Sequence, residues 1–123
     1  MPFDFNERIP IYQQIVEEIK QQIVTEKLMG GDKMPSVREL SQDMDVNPNT
    51  VQRAYQELER QNITFSQRGM GTFVSNDVSI KQNIKSEMAE SILLQFSQGM
   101  KSLGMGNEEI IKSVTDYLER DDI

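Results

Sequence analysis

Apolar positions along this chain follow helical spacing in five stretches, and a short alternating segment separates the third from the fourth. In the first stretch, Tyr12, Ile15, Ile19 and Ile23 recur at three- and four-residue steps with Val16 alongside. That stripe predicts an amphipathic helix from Ile11 to about Lys27. Ile9-Pro10 marks its start, because proline's fixed φ and missing N–H suit a first turn, and Gly30-Gly31-Asp32 would end it. Ahead of it, Phe3 and Phe5 alternate with Asp4, as a short strand or arm would.

The second stretch opens with Ser36 and Glu39 at the S-x-x-E spacing of a capping box, in which each side chain answers the other's free backbone N–H. Val37, Leu40 and Met44 supply its buried side, and Asp45-Val46 makes a turn. Asn47 then stands as an N-cap, with Pro48 where proline is favoured, so a third helix starts there. Val51, Ala54, Tyr55 and Leu58 define its core face. At ~100° per residue, Asn49, Arg53, Gln56 and Arg60 fall opposite, with Gln52 on the flank. This outward set carries amides and guanidinium groups and no carboxylate, while Glu57 and Glu59 fall to the sides.

Ile63-Thr64-Phe65-Ser66-Gln67 and Thr72-Phe73-Val74-Ser75 alternate apolar with polar residues around Arg68-Gly69-Met70-Gly71. They predict a β-hairpin with Phe65 and Phe73 towards the helices and Arg68 at its tip, since glycine supplies the positive φ that tight reversals need. Farther on, Ile80, Ile84, Met88, Ile92, Phe96 and Met100 fall at strict four-residue steps, predicting a long helix from about Ser79 to Leu103. Gly104-Met105-Gly106 breaks it, Asn107 would cap the next helix, and Glu108 and Glu109 would sit at its positive end. Ile110, Ile111, Val114, Tyr117 and Leu118 give that last helix an apolar face.

The fold class expected is therefore mainly α with a small β-hairpin wing (α+β): a winged helix-turn-helix over residues 1–76, then a two-helix dimerisation segment over 77–123. Two such helices alone make a thin core. Their stripes, at Ile84, Met88, Ile92, Phe96, Met100, Ile111, Val114 and Leu118, are expected to meet a second copy, a two-fold dimer being the commonest assembly. The alternative is packing back onto the same chain.

Composition narrows the chemistry. Cysteine and histidine are both absent, which removes disulfides, thiolates, most zinc sites and the commonest general base. No catalysis and no cofactor are expected. No membrane span is expected either, for no run approaches the ~18 apolar residues one needs, and a reducing cytoplasm fits the missing cysteine. Net charge is −7, at first sight unfavourable for nucleic acid, but it is unevenly spread. Residues 1–32 carry three basic and six acidic side chains, 33–74 five of each, and 75–123 five and nine. The stretch with two capped helices and a hairpin is the least acidic. That architecture suits a helix in the major groove of double-stranded DNA with a hairpin gripping the backbone.

The chain resembles the GntR family of bacterial transcription regulators, and within it the YtrA-like subfamily. The resemblance runs through Ile9-Pro10-Ile11-Tyr12-Gln13-Gln14-Ile15, Gly31-Asp32-Lys33-Met34-Pro35-Ser36-Val37-Arg38-Glu39-Leu40, Val46-Asn47-Pro48-Asn49-Thr50-Val51-Gln52-Arg53-Ala54-Tyr55 and Arg68-Gly69-Met70-Gly71-Thr72-Phe73-Val74. It implies a winged helix-turn-helix dimer on a two-fold symmetric operator, usually repressing, often at a transporter operon that includes the regulator's own gene. By position it would place Arg38 on a phosphate, Asn49, Thr50, Gln52 and Arg53 at the groove-facing start of the recognition helix, and Arg68 and Gly69 at the wing tip. Pro48, Gln52 and Met70 depart from the arginines and lysine common in relatives.

The division of labour expected is Lys33, Arg38 and Arg60 on phosphates, and Asn49, Gln52 and Arg53 on base edges. Arg68 would lie in or beside the minor groove, with Ser36 and Gly71 completing the DNA-facing set. A small-molecule effector, of no identity the sequence gives, could lie among Met88, Phe96 and Met100, since methionine repacks easily. The rival function is a protein-interaction module that uses the winged scaffold without reading an operator.

Overall fold

The computed structural model describes residues 4–120. Along the chain run α1 (Ile11–Val24), α2 (Val37–Met44), α3 (Pro48–Arg60), β1 (Thr64–Gln67), β2 (Gly71–Val74), α4 (Val78–Ser102) and α5 (Asn107–Leu118). The chain parts into two compact units within α4, the first ending at Lys85 and the second starting at Ser86.

In the first unit α3 packs on α1, on α2 and on β1. The core draws Ile15, Val16, Ile19 and Ile23 from α1 and Val51, Ala54, Tyr55 and Leu58 from α3, as their spacing predicts. Met34, Ile63 and Val74 close it, and so does Ile84 from the first turns of α4. Both predicted helix starts form. Ser36 Oγ accepts from the Glu39 N–H (3.0 Å) while Glu39 Oε1 accepts from the Ser36 N–H (2.9 Å). Asn47 Oδ1 accepts from the Asn49 N–H (2.8 Å), with Pro48 first in α3.

Several expectations need correction. The helix predicted to reach Lys27 ends at Val24, and its reversal uses Glu26 at φ 64° instead of glycine. Lys27 and Leu28 N–H groups then close onto the Gln22 carbonyl (2.8 and 3.0 Å), answering a helix-end acceptor before the glycine pair is reached. The glycines have a different task. Residues 31–34 run beside β2: the Gly31 N–H donates to the Val74 carbonyl (2.8 Å), Val74 N–H to Asp32 (2.8 Å) and Met34 N–H to Thr72 (2.7 Å). The wing thus gains a second short ladder.

Within the hairpin the register pairs Thr64 with Val74, Phe65 with Phe73, Ser66 with Thr72 and Gln67 with Gly71. Neighbouring residues on a strand face opposite sides. Thr64 and Val74 are the buried pair, so Phe65 and Phe73, expected towards the helices, take the other side. They stack there half-buried, with centroids 5.8 Å apart.

The start of α4 is fixed by Asp77, whose Oδ1 accepts from the Ser79 N–H (3.0 Å) and hydroxyl (2.7 Å). In α5, Gly106 occupies the cap position and Asn107 is already helical, so Asn107 makes no side-chain cap. The strand or arm expected at Phe3 and Phe5 falls partly outside the described residues, and Phe5 itself is in no strand.

Candidate nucleic-acid interface

The leading turn of α3 is set by its cap and its proline, which fix where Asn49 and Thr50 stand. Asn49 and Gln52 are exposed and Thr50 is half-buried. The helix cannot rotate freely on its neighbour, because the Tyr55 hydroxyl donates to the Pro35 carbonyl just before α2 (2.6 Å). Burial pushes the Tyr55 phenol well above its ordinary value, with the Glu39 charge adding to the shift, so it stays a donor. Arg38 lies exposed in the first turn of α2. Beside it, the Glu39 carboxyl is held below its ordinary value, first by the Ser36 backbone N–H and then by the Ser36 hydroxyl.

The structure brings Lys33, Ser36, Gly69 and Gly71 to one open groove of about 430 Å³, between the start of α2 and the wing. Tyr55 and Met70 line it too. Gly71 has φ +111°, and a Cβ there would approach Lys33 Cε to 3.0 Å. The lysine stem therefore crosses the strand where a side chain is missing, which carries its ammonium over the wing. Arg68 and Gly69 are exposed at the tip, and Met70 beside them is 60% exposed.

The outward face of α3 is less open than helical phasing implies. The Arg53 guanidinium lies over the Tyr12 ring, 3.9 Å from its centroid. It lines a small polar cleft, about 230 Å³, with Tyr12, Gln56, Glu57 and Arg60. Arg60, expected to reach a phosphate, is instead forked onto Glu57 through Nε (2.9 Å) and Nη2 (2.5 Å). Those bonds, and a third from Gln61, bring the Glu57 carboxyl down to about 2. Sequence reasoning placed Tyr12 in the core stripe and missed its second contact. Its position at the edge of that stripe, half-buried at the start of α1, was the available signal. Gln14 was also missed: it clamps the segment before α1, donating to the Asn6 (2.6 Å) and Ile9 (2.8 Å) carbonyls and accepting from the Asn6 N–H (2.8 Å).

The second unit holds most of the residues expected at a partner. Ile92 (66%), Ile111 (65%) and Leu118 (66%) are exposed, as is Phe96 to a lesser degree, and Met88, Met100 and Val114 are half-buried. Ile84 is the exception. It is 4% exposed within the first unit, so its own chain covers it and it leaves the partner-facing set. An apolar groove of about 470 Å³ runs between α4 and α5, lined by Ile92, Leu93, Phe96, Met100, Val114 and Leu118 among others. Among the described residues there is no cluster suited to a metal ion, and no helix is long and apolar enough to cross a membrane.

Comparison with known proteins bears on the family and the fold. Residues 11–74 match the family described as bacterial regulatory proteins, gntR family. The HTH-type transcriptional repressor YtrA of Bacillus subtilis is 39% identical over 94 residues, covering 76% of this chain and 68% of YtrA. A solved GntR family transcriptional regulator from Listeria monocytogenes superposes with a TM-score of 0.85 at 39% identity, over 91% of this chain and 98% of that one. The AraR DNA-binding domain, solved in complex with operator ORX1, matches with a TM-score of 0.53 at 33% identity, over 61% of this chain and 92% of that one.

Proposed function

The chain belongs to the GntR family as a YtrA-like helix-turn-helix transcription regulator, and from that premise we propose that it is a repressor that binds a two-fold symmetric operator as a homodimer. One observation carries the reading. The capped first turns of α3 present Asn49 and Gln52 to solvent, with no carboxylate among the outward residues of that stretch, and a groove lined in part by Tyr55 of the same helix gathers Lys33, Ser36 and the wing. Amide side chains at the start of a recognition helix pair bidentately with adenine edges, each good pair adding ~1–3 kcal/mol of discrimination. Lys33 and Arg38 hold phosphates, and Arg68 reaches the minor groove or its rim. The operator bound by AraR supports this arrangement by likeness.

About three phosphate contacts per subunit give a dimer a log–log salt slope near −5. The dimer is supported by the exposed apolar residues of α4 and α5, more than a lone chain ordinarily leaves uncovered. The regulated genes, by the family's habit, include a transporter operon with the regulator's own gene.

The test is selection of fragments from the host genome by the purified protein, alongside Asn49→Ala/Gln52→Ala. Recovery of a few fragments sharing an inverted repeat, lost in the variant, is expected. Indiscriminate recovery by both proteins would mean that no operator is read. The net charge of −7 favours that second reading, a winged scaffold for protein contacts.

A further inference from the structure

Arg53 stands four residues before Glu57 on α3, a spacing at which arginine and glutamate commonly pair on a helix surface. Here the carboxylate is used elsewhere. Glu57 Oε1 accepts from Arg60 Nε, and its Oε2 accepts from Arg60 Nη2 and from Gln61 Nε2. Among the described residues Arg53 makes no hydrogen bond and no ion pair, and its one specific contact is the Tyr12 ring.

At 3.9 Å the guanidinium carbon is nearer the centroid than an N–H aimed edge-on at the ring would allow, so the group rests on the ring by its face. Its five N–H donors lie in the plane of the group, so stacking consumes none of them. The ring is itself restrained, because Tyr12 is half-buried in the second position of α1, and α1 packs on α3. A long side chain fixed in this way has already given up rotamer freedom that binding would otherwise have to remove. Its place also matters. Arg53 is set one turn back from Asn49 and lies against α1, whereas base contacts come mainly from the leading residues of a recognition helix. A preset fork beside that leading turn matches two oxygens of a phosphate.

We infer that Tyr12 is a positioning residue for DNA binding, which holds Arg53 by its face so that the free edge of the guanidinium clamps a backbone phosphate. This deepens the DNA-binding reading and rests on it. It also moves Arg53 from base reading to backbone holding.

The test measures affinity for the selected operator and for a random duplex, each against salt, for wild type, Arg53→Ala, Arg53→Lys, Tyr12→Leu, Tyr12→Phe and the Tyr12→Leu/Arg53→Ala double variant. Arg53→Ala is expected to weaken both duplexes alike, by about tenfold, and to reduce the salt slope by about 1 per subunit. Tyr12→Leu is expected to weaken both by about three- to fivefold with the slope unchanged, because the charge remains and only its orientation is lost. Tyr12→Phe should bind as wild type does. Tyr12→Leu should cost nothing further once Arg53 is alanine.

Equal cost of Tyr12→Leu in both backgrounds would make the ring merely structural and overturn the inference. Relaxed selectivity at one base pair in Arg53→Ala, with random-duplex affinity intact, would return Arg53 to base reading and overturn it too. Arg53→Lys keeps the charge without the planar fork and needs no change at Tyr12. Wild-type affinity in that variant would defeat the clamp even if Tyr12→Leu failed to fold. A wild-type protein that binds no duplex at low salt would sink the function reading and this inference together. Duplex binding with a flat double-variant cycle would sink the inference alone.

Discussion

Thr64 sits in the buried half of the hairpin, and its hydroxyl has no hydrogen-bond partner among the described residues. A buried hydroxyl left unanswered costs free energy that a methyl of similar size does not. Thr64→Val is therefore expected to raise stability by about 1 kcal/mol, seen as a higher urea midpoint at unchanged slope. An unchanged or lower midpoint would mean that the hydroxyl is satisfied by water. Glu57 makes the opposite kind of contribution. Hydrogen bonds from Arg60, then Gln61, hold its carboxyl near 2 against an ordinary 4.5. A folded value below the unfolded one adds stability that is fully present above about 4.5 and fades as pH falls through about 2. Glu39, held down by Ser36, and Asp77, held down by the Ser79 hydroxyl, act in the same direction. Urea midpoints should hold from neutral pH to about 4.5 and decline below it, and Glu57→Gln should decline less steeply. Parallel acid profiles for the two proteins would show that the pairing is not kept in solution.

The elements that sequence made legible are those fixed by local chemistry. A capping box needs only Ser36 and Glu39 three residues apart, and Asn47-Pro48 announces α3 in the same way, so both starts fall where expected. Losing the Ser36 hydroxyl leaves the Glu39 N–H unanswered at a helix end. Ser36→Ala should cost about 1 kcal/mol, read as a lowered urea midpoint, and a change within a few tenths would mean that water replaces the cap. What distant contacts decide was not legible. No periodicity shows that residues 31–34 run beside β2, and that ladder accompanies the burial of Thr64 and Val74 instead of the two phenylalanines. Glycine was the natural residue for ending α1, yet Glu26 takes the left-handed conformation. Helical phase places Arg53 and Arg60 on the outer face. It is silent on the ring and the carboxylate that hold them there.

At the scale of the whole molecule the apolar stripe of α4 divides its work between the two units. Ile84 is already covered by its own chain, whereas Ile92, farther along α4, and Leu118 of α5 are about two-thirds exposed. Substituting Ile84 and Leu118 should therefore separate two effects. Ile84→Ala is expected to destabilise the first unit by about 2–4 kcal/mol whatever the assembly, since it leaves a cavity in a packed core. Leu118→Glu adds a charge to a position that a lone chain leaves in water, so it should cost a monomer little. In a dimer that buries this face, the charge would be taken out of water without a partner, and association should fail. Sedimentation equilibrium should then give the wild type twice the mass of Leu118→Glu. Operator affinity should fall with the mass, because the second half-site is no longer engaged at the high effective concentration that a linked partner provides. Unchanged mass and unchanged operator binding in Leu118→Glu would leave the groove between α4 and α5 to some other occupant. If the shared mass is that of a dimer, the two copies meet through a different surface.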